Sequence, residues 1–331
     1  MNKNLFSGIQ PSGIITIGNF IGVLSKWINY QYDYNCYFCI NDLHSITNKN
    51  ILFSNKEYKK KIIFDTLSLI ISSGINPNIS NIFLQSKILE HTYLFWILLS
   101  NIKLNKIIKN ININDRKNIK NIEIGKLSYS ILMTSDILLY QIDTVFVGYD
   151  QIKNIELCKY IINIFNRRFD NLFKEPNFII NKNIIKSLNN PNKKMSKSDT
   201  NSNSYISLLD NYDLIKKKIK LSITDSDVES KIIYNENDKK GISNLIKIMS
   251  EINNISINKI EKSMINKNYN FFKNLLSKNI YYKIEEIQYN YNIIRKNENY
   301  LKYIIEKSTN KIRKIAEKSI NEIKNKIGIY E

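Results

Sequence analysis

FSGIQPSGIITIGNFIG, residues 6–22, contains the clearest structural signal in the sequence. Its first residues form an apolar strand pattern, its middle is a turn rich in Gly and Ser, and its end opens a helical pattern. A helix that begins directly after such a turn presents free backbone N–H groups, which attract phosphate. An ordinary strand-to-helix turn has the same short pattern, since brief glycine motifs are common. The stretch predicts a βα unit and leaves both readings of the turn open.

The rest of the first half repeats this alternation of short apolar runs and longer helical patterns. Strands are predicted at residues 5–9, 36–40, 82–85 and 144–147. Helices are predicted between them, at residues 55–73, 90–100 and 127–140. Residues 103–124 have no clear period and are predicted to form a mobile surface loop. The predicted fold class is α/β, a Rossmann-like doubly wound parallel sheet.

The second half has helical periodicity and few strand signals. A polar stretch at residues 189–204, which contains Pro191, separates the halves and is predicted to be a loop. Five amphipathic helices are predicted beyond it, at residues 214–221, 242–252, 257–264, 269–276 and 299–327. A C-terminal all-helical domain completes the predicted architecture.

The composition describes a large, basic chain. Its 331 residues carry 49 Lys and Arg against 30 Asp and Glu, and the formal charge of +19 favours a nucleic-acid partner. Compositional drift explains the charge equally well, because only 9 Gly and 4 Pro stand among many Asn, Ile and Lys. We find no signal peptide, no apolar run that could cross a bilayer, and an odd number of Cys, three. We therefore expect a soluble, cytoplasmic protein without a membrane partner.

A second motif, Lys194-Met195-Ser196-Lys197-Ser198, lies in the polar loop. Two ammonium groups on either side of a hydroxyl suit a loop that stabilises charge on a transferring or departing phosphate. A lysine-rich surface loop in a lysine-rich chain is an equally good interpretation of this motif alone. The presence of both motifs in one chain favours the phosphate chemistry.

The motifs, in their order, resemble those of bacterial-type tryptophanyl-tRNA synthetases, a branch of the class I aminoacyl-tRNA synthetases. The resemblance continues through NCYFCINDLHSIT at 35–47, LMTSD at 132–136, DILLYQIDTVFVGYDQ at 136–151, KKMSKSD at 193–199 and GISNL at 241–245. Thr16 and Asn19 stand where the superfamily's first signature usually has histidine, a variant familiar in the tryptophan branch. The resemblance implies activation of L-tryptophan with ATP and its transfer to tRNA(Trp), for protein synthesis.

The resemblance also implies an ATP site and a catalytic set. The catalytic set consists of Thr16, Gly18, Asn19, Lys194, Ser196 and Lys197. ATP, accompanied by Mg²⁺, would contact an overlapping set: Gln10, Pro11, Ser12, Gly18, Asn19, Gly148, Tyr149, Asp150, Ile185, Lys194, Met195, Ser196, Lys197 and Ser198. Relatives often have an acidic residue at the Tyr149 position and a histidine at the Asn154 position. No protein-bound metal and no organic cofactor is implied.

The implied tryptophan pocket is largely apolar and aromatic. Its members would be Phe6, Gly8, His44, Tyr129, Met133, Asp136, Val145, Val147 and Gln151. Asp136 would accept the indole N–H, and Tyr129 and Gln151 would address the substrate's amino group. Phenylalanine would leave the buried carboxylate unpaired, a penalty on the order of a few kcal/mol.

The resemblance assigns a role to each part of the chain. Residues 1–190 would form the Rossmann-like catalytic domain, with a final helix at 298–331 packing back on it. Residues 191–204 would form the KMSKS loop, and residues 205–297 a helical domain that reads the tRNA anticodon. A homodimer is implied, with one tRNA spanning two subunits.

Three other classes of protein compete with this interpretation. A tyrosyl-tRNA synthetase would have a different opening motif and usually an RNA-binding module after the helical domain. A small-molecule nucleotidyltransferase would share the first motif without the helical half, and a non-catalytic RNA-binding protein rests on charge alone. Cys36 and Cys39 form a C-x-x-C that we interpret as core residues, and His91 is predicted on a helix surface without a role.

Overall fold

The computed structural model describes residues 3–110, 121–197, 199–225 and 231–329. Within these ranges, five strands form one parallel sheet in the order β3-β2-β1-β4-β5. The strands are β1 (Asn4–Ile9), β2 (Asn35–Ile40), β3 (Asn81–Leu84), β4 (Thr144–Gly148) and β5 (Asn177–Asn181). The chain winds outward in opposite directions from β1, so the crevice between β1 and β4 is the expected ligand position.

The four predicted strands are confirmed, and one strand was not predicted. β3 ends at Leu84 because Gln85 already belongs to a 3-10 turn, Gln85–Lys87. β5 forms the edge of the sheet, and its residues are half-buried or exposed. An edge strand that buries neither face fully has a weak hydrophobic pattern, which explains why the sequence did not reveal it.

Nine helical segments, counted within the described ranges, surround the sheet in the first half. They are α1 (Ile17–Asn19, a π-helical turn Phe20–Leu24, then Ser25–Asp33), α2 (Asp42–Ser45), α3 (Lys49–Leu52), α4 (Lys56–Ser72), α5 (Glu90–Leu99), α6 (Leu104–Asn110), α7 (Ile124–Leu127), α8 (Tyr129–Leu138) and α9 (Ile152–Arg168). The surface-loop prediction for residues 103–124 is wrong at α6, and residues 111–120 lie outside the described ranges.

Five helices follow in the second half, as predicted. They are α10 (Tyr212–Leu221), α11 (Lys240–Asn253), α12 (Ile257–Ser263), α13 (Tyr269–Lys296) and α14 (Glu298–Ile327). α13 is much longer than predicted, because Ile280, Ile284 and Ile287 continue its buried stripe. The Asn-rich composition has a structural use here, since Asn211, Asn268 and Asn297 each cap the start of a helix through the side-chain oxygen.

Successive side chains of each strand point to opposite faces of the sheet and pack in two separate hydrophobic cores, one on each face. Cys36 belongs to the core that continues into the helical half, while Cys39 belongs to the opposite core. Ile312 and Ala316 of α14 pack in this second core together with sheet residues. The interpretation of the C-x-x-C pair as buried core residues is confirmed. No helix in the described ranges is long and apolar enough to cross a membrane.

Candidate active site

A cavity of about 470 Å³ opens at the carboxyl ends of β1 and β4. This is where open parallel sheets bind ligands, and the volume suits a small molecule. Its walls come from β1 and the turn after it, from α1 and α8, from β4 and the turn that follows, and from the loop at residues 194–197. Segments far apart in the sequence therefore meet around one space.

The turn after β1 ends in a capping box at the start of α1. The Thr16 hydroxyl oxygen accepts a hydrogen bond from the Asn19 backbone N–H at 3.2 Å. The Asn19 side-chain oxygen accepts in return from the Thr16 backbone N–H and hydroxyl, at 3.1 and 3.0 Å. These bonds fix the first helical turn, which leaves Asn19 in the cavity wall and Thr16 buried behind it.

The loop at residues 194–197 is held by a short antiparallel pairing. Lys194 pairs with Lys186, and the Met195 N–H donates to the Ile185 carbonyl at 2.9 Å. Asn244 of α11 holds the segment that pairs with this loop, since its oxygen accepts from the Lys186 N–H at 2.8 Å and its amide donates to the Lys186 carbonyl at 2.9 Å. The lysine-bearing loop is thus attached to the helical half.

The same loop rests directly on the first motif. Met195 is buried against Gly18, where an added Cβ would lie 3.5 Å from the methionine side chain. The Lys197 ammonium donates to the Gly13 carbonyl at 3.3 Å. The two motifs, which are separated by about half the chain, therefore form one unit across the mouth of the cavity.

The two lysines of the loop differ in their surroundings. Lys194 forms an ion pair with Asp150 at 3.2 Å, and about half of each side chain is exposed. Such a solvated pair contributes little stability and can exchange partners when phosphate arrives. Lys197 is half-buried, and its burial lowers the pKa of its ammonium to about 8. Its charge therefore depends on what occupies the cavity.

Two hydrogen-bonded pairs of polar side chains lie at the start of α8 and in the turn after β4. Gln10 donates to the Tyr129 hydroxyl at 3.1 Å, and burial raises the pKa of Tyr129 to about 12, so the phenol keeps its proton. Asn154 donates to the Gln151 side-chain oxygen at 2.6 Å. Asn154 can therefore orient Gln151.

Asp136 is the most enclosed acid of the site, with only 1% of the residue exposed. His44 Nε2 lies 3.0 Å from one carboxylate oxygen, and His91 Nδ1 lies 2.6 Å from the other. The Gln85 amide contacts both oxygens, at 2.8 and 2.9 Å. Burial alone would raise the pKa of Asp136, but the attraction of His91 and the contacts of both histidines lower it to about 2. The carboxylate is therefore charged, although it is buried.

Most of the implied site residues lie around the main cavity. Among those of the tryptophan set, the wall contains Phe6, Gly8, Tyr129, Met133, Val145, Val147 and Gln151. Among those of the ATP set, it contains Gln10, Ser12, Asn19, Gly148, Asp150, Lys194, Met195, Ser196 and Lys197. An adjoining cavity of about 50 Å³ includes Gly18, Tyr149 and Ile185.

The remaining implied residues lie elsewhere. Pro11 and Thr16 do not appear in either cavity wall, and His44 and Asp136 lie behind the wall of the main one. Tyr129 separates His44 from the main cavity, since the two rings are 4.3 Å apart and Tyr129 itself lines the wall. Ser198 lies outside the described ranges.

Sequence reasoning missed three polar residues of this region. His91 was placed on a helix surface, and that prediction is wrong: the residue is fully buried against Asp136, because α5 packs its His91 face onto α8. Gln85 received no role, although it holds the same carboxylate. Asn41 lines the cavity and fills the space that a side chain at Gly8 would need, only 2.6 Å from an added Cβ.

The family model for class I tRNA synthetases of the tryptophan and tyrosine type matches residues 2–281 of the chain. This span contains the parallel sheet, both motifs and most of the helical half. The chain belongs to that family of class I tRNA synthetases.

The similar proteins narrow the assignment within the family. Tryptophan–tRNA ligases of Buchnera aphidicola from Schizaphis graminum and of Wigglesworthia glossinidia brevipalpis are each 46% identical over 305 residues, covering 90% of this chain and 90% and 89% of theirs. The tryptophanyl-tRNA synthetase of Mycoplasma pneumoniae superposes with a TM-score of 0.91 at 28% identity, covering 100% of this chain and 99% of the other. That of Campylobacter jejuni, solved with ADP and tryptophan, gives 0.79 at 26%, covering 98% and 100%. Within the family, the chain belongs to the tryptophanyl-tRNA synthetases.

Proposed function

We propose that this chain activates L-tryptophan with ATP and then transfers the tryptophanyl group to tRNA(Trp). The observation that carries the proposal is the docking of the loop at residues 194–197 on the first motif, across a cavity that has a buried aspartate, Asp136, behind its inner wall. Cationic groups at the mouth suit a triphosphate, and the inner end suits a side chain with one N–H donor.

The chemistry needs no nucleophile from the protein. The carboxylate of tryptophan attacks the α-phosphorus of ATP, pyrophosphate leaves, and a terminal ribose hydroxyl of the tRNA then attacks the carbonyl of the adenylate. Rate therefore comes from alignment and from donors that strengthen as charge moves to the leaving pyrophosphate. Lys194 and Lys197 are the cations at that end of the cavity. Mg²⁺ enters with ATP as part of the substrate complex.

We assign the selection of tryptophan to Asp136. Its two oxygens already contact His44, His91 and Gln85, so an indole N–H must replace one of these contacts. His44 is the partner best placed to yield, because its ring faces Tyr129 in the cavity wall. A buried carboxylate that regains its donor only from indole would discriminate against phenylalanine and tyrosine.

The transfer step requires tRNA, and the helical domain at residues 205–297 is the part we assign to the anticodon. The formal charge of +19 suits a phosphate backbone. Asn244 of this domain is hydrogen-bonded to Lys186, which pairs with Lys194. These contacts offer a physical connection between a bound tRNA and the lysine-bearing loop at residues 194–197. The expected compartment is the cytoplasm, where tRNA charging supplies protein synthesis.

We also propose that the chain works as a homodimer. Leu89, the residue that precedes α5, and Tyr93 and Trp96 within it are spaced by four and three residues, and their side chains are exposed. Residues at this spacing share one face of a helix, and an apolar face suits the self-complementary contact of a twofold dimer.

The decisive experiment measures amino-acid-dependent exchange of pyrophosphate into ATP, with tryptophan and tyrosine side by side. We expect exchange with tryptophan and at least a hundredfold lower kcat/KM with tyrosine, because tyrosine lacks the bicyclic shape of indole and its O–H does not stand at the position of the indole N–H. Exchange with tyrosine alone would refute the assignment. An exchange-competent enzyme that fails to charge tRNA(Trp) would refute the second step only.

A further inference from the structure

The carboxylate of Asp136 has one histidine toward the cavity and another toward the core. His44 lies beside Tyr129, which lines the cavity. His91 has no exposed surface, and its ring lies near Phe83, which is fully buried. The two histidines contact different oxygens of Asp136. A ligand that enters the cavity can therefore reach the His44 side of the carboxylate before the His91 side.

The protons of this cluster can be assigned from its chemistry. A deprotonated carboxylate only accepts, so the nitrogen of each histidine that faces Asp136 carries the proton. The Tyr140 hydroxyl lies 2.7 Å from His91 Nε2, the ring nitrogen that faces away from Asp136. Close contacts therefore run from Tyr140 through His91 to Asp136, at 2.7 and 2.6 Å.

We propose that His91 is a positioning residue for the choice of tryptophan: it holds one oxygen of Asp136 permanently, so that the other can exchange His44 for the indole N–H. This inference rests on the proposed role of Asp136. His91 itself does not reach the cavity wall. Its effect passes through the charge state and orientation of the carboxylate.

The energetic reason is the cost of a buried charge. A carboxylate removed from water retains its charge only where donors surround it, and otherwise it takes up a proton. Without His91, the oxygen on the core side would retain only the Gln85 contact. A protonated Asp136 is a poorer acceptor for an indole N–H, so the site would lose its preference for that group.

The test compares tryptophan with its benzothiophene analogue, in which sulfur replaces the indole nitrogen and the N–H is lost. The measured quantity is the ratio of their kcat/KM values in pyrophosphate exchange. In His91→Leu we expect this ratio to fall at least tenfold, with the KM for ATP unchanged. His91→Asn should restore most of it, because the asparagine amide nitrogen is attached to Cγ, as Nδ1 is in histidine. His91→Gln, whose nitrogen takes the Nε2 position instead, should not restore it.

A matched control separates positioning from packing. Phe83→Leu thins the same buried layer and removes no polar contact to Asp136, so it should lower the melting temperature and leave the ratio unchanged. An equal loss of the ratio in Phe83→Leu and His91→Leu would overturn the inference, and so would a ratio that survives His91→Leu. Equal kcat/KM for both substrates in the unsubstituted enzyme would instead refute the assignment of Asp136.

Discussion

Among the residues of the cavity, Lys197 has the surroundings from which an effect of pH on substrate binding can be predicted most directly. Its ammonium contacts a backbone carbonyl, Gly13 O, and burial lowers its pKa to about 8. The free enzyme therefore loses this charge at a mildly alkaline pH. We propose that ATP binds beside Lys197, where its triphosphate would favour the charged form and reverse the shift, which links ATP binding to protonation of Lys197.

We predict that the KM for ATP rises with pH above about 8, by up to roughly tenfold per pH unit, because ATP must then bind together with a proton. Pyrophosphate exchange at saturating tryptophan between about pH 7 and 9.5 measures this rise. Lys197→Met should raise the KM at every pH and flatten the profile. Lys182→Met, an exposed lysine outside the cavity, serves as the control. A wild-type profile that is flat in this range would contradict the linkage.

The residues that line the cavity could be predicted because they lie in quoted motifs with few other uses. Phe6, Tyr129 and Gln151 are examples that the structure brings together. His91 could not be predicted in this way. It lies in the helix EHTYLFWILL, in which seven of the nine remaining residues are apolar or aromatic. Helical periodicity therefore does not indicate which face of this helix is buried. Its partner, Asp136, is 45 residues away in the sequence, and only the packing of α5 on α8 joins them.

At the scale of the elements, the important contact is the one between α11 and Lys186, in the segment before the lysine-bearing loop. Asn244 is buried and makes two hydrogen bonds to the backbone of a single residue, Lys186, as a neighbouring strand would. Lys186 in turn pairs with Lys194. The position of Lys194, which we propose contacts ATP, therefore depends on a side chain of the helical half.

We predict that Asn244→Ala slows adenylate formation about tenfold or more and raises the KM for ATP. The reason is that Lys186, which pairs with Lys194, loses both hydrogen bonds to Asn244, so that its backbone N–H and carbonyl lose their partners. Asn244→Asp keeps the acceptor and should have a smaller effect. The KM for tryptophan should not change. Steady-state and single-turnover exchange kinetics measure these effects.

Gln288→Ala supplies the matched control for this contact. Gln288 of α13 also makes two hydrogen bonds to backbone carbonyls, those of Leu208 and Asp210, at a place that does not touch Lys194. Its loss should lower stability and spare the kinetics. If both variants slow adenylate formation equally, the effect is one of general stability and the proposed connection is incorrect.

A helix or strand could be predicted from the sequence where its buried residues recur with the period of that element. β1, β2 and β4 are buried strands with strong apolar runs, and their predicted bounds agree with the structure within one residue. The residues of β5 are half-buried or exposed, so their hydrophobic pattern is too weak to predict a strand. The length of α13 was underestimated because its buried stripe is interleaved with many Asn, Lys and Tyr residues, so the contrast between its faces is low.

At the scale of the whole molecule, the prediction concerns self-association. The exposed stripe on α5 includes Trp96, of which 67% is exposed. We predict that Trp96→Glu converts the enzyme to monomers, because a charge in an apolar twofold contact is placed opposite its own copy. Light scattering should give twice the chain mass of 39.0 kDa for the unsubstituted protein and the single mass for the variant.

Tyr282→Glu is the control for this substitution, since Tyr282 is an equally exposed aromatic residue on a different helix, α13. It should leave the mass unchanged. A monomeric mass for the unsubstituted protein would overturn the dimer proposal, and a monomeric Tyr282→Glu would move the contact to α13.

The position of α14 has a consequence for how the chain folds as it is made. Ile312 and Ala316 complete the core on one face of the sheet, yet the ribosome synthesises them some 165 residues after β4. During that interval Phe83 and its neighbours on β3 lack their final cover. The emerging polypeptide thus exposes a hydrophobic surface until translation is nearly finished. We therefore expect a chaperone to bind the unfinished protein at this face of the sheet.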